Sequence, residues 1–512
     1  MEFAWPVAFR ALRKHGKPVY VGRRTGKKTY LTCLDLTLFT TEAPCVSVRE
    51  AEMGCTMRTP MGQVFILGIV FLFVFSAYIT IQAFASKLYG DTLGSNMELT
   101  LYAVFTAACF IAPAVTNVCG SRLTLFLGTT GYASLVAASL VLALLGHRPL
   151  TDTIVNLGGA GCGIGAALLW TAQGRLMLEY SNGANQGRIF AIFWALFNLS
   201  ALVGGLLTFF YFADHNIEDQ ASLWPLYVVF LALIIGGGAL TGLLSPPSEI
   251  SSQLYLRDSA PIDAAPAVNG ATHPVDRAAL DWFSEAVATI QLFGTRTMLI
   301  LGPLMWYTGF NQPYQLNTFA RYFTARTNGL EVIVFYGAEI FGAFLAGWML
   351  DRDPTRPRTG ALHVLAVFLA VTTGGYALAF HSELNAARAA WPTCNVVPLD
   401  FTQTAIVGPT LAYFLWGISD SQVQAFSYWL MRQLFADGPE QSRAVGFYKM
   451  IQSLGWCAGF ALVPSERMPP IVQMGLTYAC ALVGVVFALF RLPSDAPLLR
   501  DARAPLSGAE RA

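Results

Sequence analysis

The sequence predicts an all-α membrane protein with twelve transmembrane spans arranged as two six-helix halves. Of its 512 residues, 54% are hydrophobic and only 12% are charged, whereas about one quarter of a typical soluble domain is charged. Twelve apolar stretches each approach the roughly 20 residues that a helix needs to cross a bilayer. The first six stretches can also be aligned with the last six, which indicates two related halves.

The predicted spans are numbered in chain order and form an N-terminal half (61–245) and a C-terminal half (296–491). They cover residues 61–84, 97–118, 122–146, 153–178, 188–212, 224–245, 296–318, 330–350, 360–380, 403–431, 443–463 and 470–491. A basic tail (1–60), which we expect to be mostly disordered, precedes the first span. A linker (246–295) joins the halves, and a second tail (492–512) follows the last span.

The linker carries a helical pattern of its own. Leu280, Phe283, Val287 and Ile290 recur at helical spacing, with Glu285 on the opposite side. This pattern predicts an amphipathic helix, which either lies on the membrane surface or packs as a cap on the helix bundle.

The distribution of Lys and Arg predicts how the spans are oriented. The first sixty residues hold ten of these side chains, and the loops on the same side of the membrane hold more than those on the opposite side. The positive-inside rule therefore places both termini in the cytosol. It does not distinguish the plasma membrane from an internal membrane.

The two halves align with each other once a single insertion is allowed. Shifts of 234 and then 255 residues superimpose Gly68 on Gly302, Asn117 on Asp351, Arg122 on Arg356, Arg188 on Arg443 and Gly204 on Gly459. The insertion falls in the loop between spans 9 and 10, so the matches favour an internal duplication. Parallel six-helix repeats are typical of the major facilitator superfamily, whose substrate site lies at mid-membrane between the halves.

The loops after spans 2 and 8 resemble the pattern G-x-x-x-D-R-x-G-R-R that this superfamily carries in both places. The loop after span 8 matches at Gly347, Asp351, Arg352 and Arg356, whereas the loop after span 2 matches at Gly120 and Arg122 but has Asn117 where the acid belongs. In the superfamily the acid and arginine hold neighbouring helix ends together. The resemblance thus implies a charged contact after span 8 and a weaker one after span 2, because an amide gains less from a helix dipole. Fixing the orientation of the spans is an equally good explanation for the arginines.

Four segments resemble the Unc-93-like family within the superfamily: GSRLTLFLGTTGY (120–132), LWTAQGR (169–175), GRIFAIFWALFN (187–198) and GFYKMIQS (446–453). A fifth, YFLWGISDSQVQAFSYW (413–429), resembles the branch found in fungi and other microbes. The resemblance covers the chain from about residue 61 to 491. Some animal members are implicated in regulating potassium channels or escorting receptors, so it implies the architecture more directly than the activity.

Three ionisable side chains lie inside predicted spans and away from the span ends, where a charge needs a partner or a water-lined cavity. Asp420 of span 10 is either a residue that couples transport to protons or solute, or half of an ion pair with Lys449 that locks spans 10 and 11. Glu339 of span 8 is either a titrating carboxyl or a protonated one that bonds across to Asn198 of span 5. Lys449 has a third option, since its long side chain can reach the membrane interface.

The resemblance to the superfamily implies that spans 1, 4, 7 and 10 line the central cavity. The predicted substrate-binding residues are therefore Gln82 (span 1), Trp170 and Gln173 (span 4), Tyr307, Asn311 and Gln315 (span 7), and Trp416, Asp420 and Gln424 (span 10). Pro313 interrupts span 7 among them, and broken spans mark binding sites in many transporters. Aromatic and amide groups with few charges suit a small neutral or amphipathic solute rather than a polyanion.

The sequence thus predicts a secondary transporter that moves a small solute by alternating access. The alternative is a transport-silent subunit that regulates or escorts a channel or receptor. We expect no enzyme, no cofactor and no metal, because the six histidines avoid the span centres and no nucleophile or metal-binding cluster is present. The expected surroundings are the lipid bilayer and the solute; a net charge of +1 offers no field that would attract nucleic acid.

Overall fold

The computed structural model describes residues 57–83, 88–89, 91–181, 185–214, 223–246, 282–389, 397–435, 438–463 and 467–495. The expected disorder of the N-terminal tail concerns residues that lie almost wholly outside this description. The same holds for Leu280 in the linker and for most of the C-terminal tail.

Each predicted span corresponds to a long helix or to a bent pair of helical segments. Their bounds, for spans 1 to 12, are Pro60–Ala83; Asp91–Ala108 with Ala112–Cys119; Ser121–Leu145; Pro149–Glu179; Gln186–Asp214; Trp224–Leu240; Arg296–Gln312 with the π-helical Pro313–Thr318 and the 3₁₀ turn Phe319–Tyr322; Ala325–Asp351; Pro357–Ala389; Val407–Leu434; Gly438–Leu462; and Pro470–Leu489. The linker contributes one more helix, Trp282–Phe293. Strand pairing in the described residues is limited to one isolated bridge, between Phe323 and Leu399.

Eight spans are long and apolar enough to cross a membrane as single helices. Two bent pairs of helices also pass when each pair is taken together: the two helices of span 2, bent by 57°, and the linker helix with span 7, bent by 71°. Spans 10 and 11 are 28 and 25 residues long, so polarity rather than length sets them apart. Their polar side chains, such as Gln422 and Gln452, are fully buried. A span whose polar face packs on other helices needs apolar residues only towards lipid.

Equivalent glycines pack in equivalent ways in the two halves. In span 5, a Cβ on Gly204 would lie 2.3 Å from the carbonyl oxygen of Ser76 in span 1. In span 11, a Cβ on Gly459 would lie 3.4 Å from the carbonyl oxygen of Phe310 in span 7. Ser76 and Phe310 are themselves 234 residues apart, the shift of the first half of the alignment. The repeat seen in the sequence is therefore also a repeat of helix packing, with small residues at close crossings.

The two halves meet along two pairs of spans, 5 with 8 and 2 with 11, and spans 4 and 10 add further contacts. The face that carries the loops after spans 2 and 8 is called the motif face. At this face the backbones of spans 5 and 8 approach closely: a Cβ on Gly347 would lie 2.6 Å from the carbonyl oxygen of Gly187. Only a residue without a side chain allows this crossing.

We predict that Gly347→Val destabilises the protein, because extra methyl groups at a tight crossing force the helices apart at a cost of about 1–3 kcal/mol. The melting temperature of purified protein in detergent is the measurement. The matched control is Gly337→Val on the same span, since a Cβ at Gly337 meets nothing within 4 Å. Equal melting temperatures for the two variants would contradict the crossing described above.

Candidate functional site

A cavity of about 70 Å³ lies between the two halves near the middle of the spans. The N-terminal half supplies an aromatic wall: Phe75, Tyr78, Tyr102, Phe105, Tyr132, Trp170, Trp194 and Phe197, together with the amide of Gln82. The C-terminal half supplies a polar wall: Gln312, Tyr336, Glu339, Gln424 and Lys449, together with Trp456. The site therefore has one apolar side and one side that carries charge and amides.

Two carboxyl groups meet at the polar wall. Glu339 of span 8 and Asp420 of span 10 are close enough to interact electrostatically and are 1% and 0% exposed. Two neighbouring buried carboxylates are not both ionised, because like charges repel strongly where water is excluded. The pair, called the carboxyl pair below, is therefore built to hold a proton.

Neutral hydrogen-bond donors of spans 5 and 7 surround the carboxyl pair. Glu339 Oε2 accepts hydrogen bonds of 2.8 Å from Trp194 Nε1 and from Asn198 Nδ2, both of span 5. Asp420 accepts bonds from Asn311 (2.9 Å) and Gln312 (3.3 Å) of span 7. The predicted bond between Glu339 and Asn198 is thus present. Because Asn198 is on span 5 and Glu339 is on span 8, this hydrogen bond also joins the two halves.

Asp420 and Lys449 are not in direct contact, which corrects the ion pair considered from the sequence. Two amides separate them: Gln424 donates to Asp420 over 2.8 Å, Gln452 donates to Gln424 over 3.3 Å, and Lys449 Nζ donates to Gln452 over 2.7 Å. Asp420 is one turn before Gln424 on span 10, whereas Lys449 points from span 11 towards Trp170 of span 4. The helix register therefore places an amide, not the ammonium, beside Asp420.

A second cavity of about 190 Å³ lies next to the first, towards the face opposite the motif face. The two cavities share the side chains of Gln82, Tyr102 and Gln312. Asn317 at the end of span 7 and Asn328 at the start of span 8 line the outer one. We call it the vestibule, because it lies between the central cavity and that face.

The motif face is closed by Asp351 at the junction of spans 5 and 8. Its carboxylate accepts the backbone N–H groups of Gly187 (2.8 Å) and Arg188 (2.6 Å), at the first turn of span 5. A carboxylate at this position satisfies backbone donors that have no partner within the helix and interacts favourably with its dipole. The contact implied by the resemblance after span 8 is therefore present.

The matching junction of spans 2 and 11 is closed by an amide with help from the linker helix. Asn117 Oδ1 accepts hydrogen bonds from Ser442 (2.6 Å) and Arg175 (2.9 Å), and Asn117 Nδ2 donates to Glu285 Oε2 over 2.9 Å. Glu285 is 2% exposed and forms an ion pair with Arg443 over 2.6 Å. The linker helix thus places a carboxylate beside Asn117, where the superfamily pattern has its acid.

The linker helix directs its polar side inwards. Glu285 and Thr289 are buried against the bundle, while Phe283 is 76% and Ile290 is 59% exposed. The helix therefore packs on the bundle through Glu285 and leaves an apolar strip on its outside.

The remaining loop-motif residues make local contacts. Arg122 donates to the backbone carbonyl of Gly242, Arg352 lies over the ring of Trp348, and Arg356 pairs with Asp353 at 3.8 Å on the surface. Gly120, with φ of 83°, separates the helices of spans 2 and 3. A left-handed φ of this kind favours glycine.

Three of the nine predicted cavity residues line the central cavity: Gln82, Trp170 and Gln424. Three others lie directly behind its wall. Asn311 and Asp420 bond to each other, and Gln173 accepts a bond of 3.1 Å from Tyr428. Binding of a solute by these six residues stays a prediction.

The other three predicted cavity residues are not brought to the cavity. Tyr307 packs against Phe368 of span 9, Gln315 donates to Tyr376 of span 9, and Trp416 packs against Tyr376 as well. For Tyr307 and Gln315 the cause is the register of span 7, in which Gln312 rather than its polar neighbours points inwards. The polar stripe on span 7 faces span 9 for most of its length.

Apart from the predicted Trp170 and Gln82, the residues of the aromatic wall were missed by sequence reasoning, as was Gln312. Span 5 was not expected to contribute, although Trp194 and Asn198 are four residues apart and so share a helix face. Such aromatic residues are common on lipid-facing surfaces too. The sequence therefore carried a signal for Trp194 but none that separated it from an ordinary packing residue.

The architecture defined by these helices is that of a multi-pass membrane protein with the major facilitator superfamily fold. Two solved transporters of this superfamily share it. FucP in its outward conformation matches with a TM-score of 0.55 and 12% identity over 84% of this chain and 99% of FucP. The proton:xylose symporter XylE matches with a TM-score of 0.56 and 10% identity over 85% and 95% of the two chains. The predicted fold class is confirmed.

The chain belongs to the UNC-93 family. The model of the family described as "Ion channel regulatory protein UNC-93" matches residues 94–490. The chain is 27% identical to UNC93-like protein 1 of Arabidopsis thaliana over 460 residues, which is 87% of this chain and 94% of the relative. It is 25% identical to UNC93-like protein MFSD11 of Xenopus tropicalis over 432 residues, or 78% and 88% of the two chains. The family resemblance seen in the sequence is confirmed.

We predict that Glu285→Gln lowers the melting temperature, because it leaves the largely buried Arg443 without its counterion, and losing one partner of a buried pair costs about 3–5 kcal/mol. Asn117→Asp alone also destabilises, since it sets two carboxylates 2.9 Å apart. The double variant Asn117→Asp/Glu285→Gln moves the charge to the superfamily's usual position and is expected to be more stable than either single variant.

Thermal unfolding of the four proteins in detergent measures this double-mutant cycle. The control is Asp353→Asn, whose carboxylate lies at the surface of the same face and whose loss should leave the melting temperature unchanged. Additive effects of the two substitutions would show that Glu285 does not replace the acid missing at position 117.

Proposed function

We propose that the protein is a secondary transporter that moves a small solute by alternating access and couples this movement to protons. The observation that carries the proposal is the central cavity: both halves line it, the vestibule leads from it to one face, and hydrogen bonds between the halves close the other. Alternating access requires a site of this kind, which the two halves can expose to either side in turn.

The contacts at the motif face support a reversible closure. Asp351 bonds to backbone N–H groups of span 5, and Asn117 bonds to Ser442 of span 11. These are polar contacts between helix ends, and water can replace them when the halves separate.

The carboxyl pair supports proton coupling. Glu339, one member of the pair, lies in the cavity wall and accepts hydrogen bonds from span 5 of the opposite half. The protonation of Glu339 and the contact between the halves therefore depend on each other. Other ionisable groups that interact with the carboxyl pair are Lys449 and Tyr448 of span 11, Tyr336 of span 8 and Tyr307 of span 7. A proton that enters through the vestibule therefore reaches a site that both halves share.

A second candidate function is regulation of an ion channel, which the description of the family model favours. The sequence feature that supported this alternative was the missing acid at Asn117. Glu285 supplies a carboxylate at that junction, so the loss of the acid no longer argues against a working transport cycle. The regulatory candidate then rests on the family description.

If the chain is a proton-coupled transporter, candidate solutes should carry protons into proteoliposomes. Purified protein would be reconstituted with a pH-sensitive dye inside and challenged with a panel of small metabolites, with an inward proton gradient available for accumulation. We expect solute-dependent acidification for at least one class of solute. No movement of any solute or proton, together with a channel that co-purifies in fixed ratio, would favour the regulatory candidate.

We predict that Glu339→Gln and Asp420→Asn abolish accumulation against a gradient while exchange of solute across the membrane persists, because neither variant can hold the coupling proton. The matched control is Glu331→Gln on span 8. Glu331 is a buried carboxyl that accepts a hydrogen bond from Thr410 over 2.5 Å and lies two helical turns from Glu339, outside the central cavity. Gradient-driven accumulation that survives in both cavity variants would exclude the carboxyl pair as the coupling site.

A further inference from the structure

Lys449 brings a cation into the wall of the central cavity without a carboxylate in contact with it. The side chain is 1% exposed, and its ammonium donates one hydrogen bond, to Gln452 Oε1 over 2.7 Å. In the described part of the chain no carboxylate lies within ion-pair distance of it. An ammonium has three donors, so two of them are left for other acceptors.

Aromatic rings hold the ammonium in place. Lys449 Nζ lies 4.1 Å from the ring centre of Trp170, 4.9 Å from that of Tyr448 and 5.6 Å from that of Tyr428. Contacts with ring faces stabilise a cation but use none of its hydrogen-bond donors. The ammonium is therefore positioned and partly stabilised while its charge remains available.

The nearest acidic groups are occupied by other donors. Asp420 accepts bonds from three amides, those of Asn311, Gln312 and Gln424, and Glu339 accepts from Trp194 and Asn198. Because the carboxyl pair holds a proton, its negative charge is at most one, and neutral side chains already solvate it. An anion that enters the cavity would meet a cation that no protein carboxylate touches.

We infer that the central cavity binds a small amphipathic monocarboxylate, with its carboxylate at Lys449 Nζ and its apolar body against the aromatic wall. The inference rests on the proposed function and names the class of solute. Flat rings such as Phe75 and Trp170 suit an apolar or aromatic body. The opposite, polar wall supplies Lys449 and the amide of Gln312 for the head group.

Other classes of solute fit this cavity less well. A cation would be repelled by Lys449, and the second charge of a dianion would approach Glu339. A polyol needs hydrogen-bonding groups on all sides, whereas the aromatic wall presents mostly ring surfaces, and its Tyr102 hydroxyl already accepts a hydrogen bond from Gln82. One charge and one apolar body match one ammonium and one aromatic wall.

The test is ligand-induced thermal stabilisation of the full-length protein in detergent, with benzoate as the probe. Acetate has the head group without the body, benzamide has the body without the charge, and phthalate has a second charge. We expect benzoate to raise the melting temperature at concentrations at which the other three compounds do not. Equal stabilisation by benzamide would overturn the assignment, because the ammonium would then play no part.

Two variants separate a binding role of Lys449 from a structural one. Lys449→Met keeps the length of the side chain and is expected to weaken benzoate binding roughly ten- to a hundredfold, which corresponds to the loss of a charge-assisted hydrogen bond. Its melting temperature without ligand should not fall, since the cation has no protein counterion to lose. Gln452→Glu places a carboxylate at the ammonium and should abolish benzoate binding while keeping the lysine. Unchanged benzoate binding in Lys449→Met, or in Gln452→Glu, would overturn the inference.

The outcomes also separate this inference from the proposed function. Benzoate stabilisation that depends on Lys449, without transport in proteoliposomes, would support the monocarboxylate site and contradict the proposed transport function. Proton-coupled movement of a neutral solute, with no thermal stabilisation by benzoate, would support the proposed transport function and contradict the monocarboxylate site.

Discussion

The interaction between the buried carboxyl groups of Glu339 and Asp420 is the one on which the centre of the molecule depends. Burying a carboxyl away from water is costly unless every oxygen finds a donor. The donors come from span 5 in one half and from spans 7 and 10 in the other. The register of four spans is therefore tied to a single polar cluster, and the aromatic wall and Lys449 take their places around it.

This arrangement explains why spans 10 and 11 are poorer in apolar residues than the rest. Their polar side chains are directed towards the carboxyl pair and the amides of Gln424 and Gln452, while lipid meets the apolar remainder. In a membrane, the direction of a polar side chain matters more than the average composition of its span. The same helix can therefore direct polar side chains towards the cavity and still insert into the membrane.

The sequence predicted most of the fold and part of the site, for different physical reasons. Span number and the internal repeat depend on long-range composition and on spacing, which a sequence records directly. The cavity wall depends on helix rotation, and a rotation of one residue decides whether Asn311 or Gln312 faces the centre. The same limit explains the mistaken pairing of Asp420 with Lys449: both were recognised as buried ionisable groups, but two intervening amides are visible only in three dimensions. Glu285 was seen on the polar side of a linker helix, whereas its burial beside Asn117 required the packing of that helix.

The position of Glu285 outside both six-helix repeats makes the two junctions at the motif face unequal. At the junction of spans 5 and 8, the closing acid is part of the transmembrane helix itself. At the junction of spans 2 and 11, the acid belongs to the linker helix, which bonds to Asn117 and Arg443. The two halves are similar in packing, but the proposed separation on this side would be asymmetric, because the connecting chain contributes a contact to one junction and not to the other.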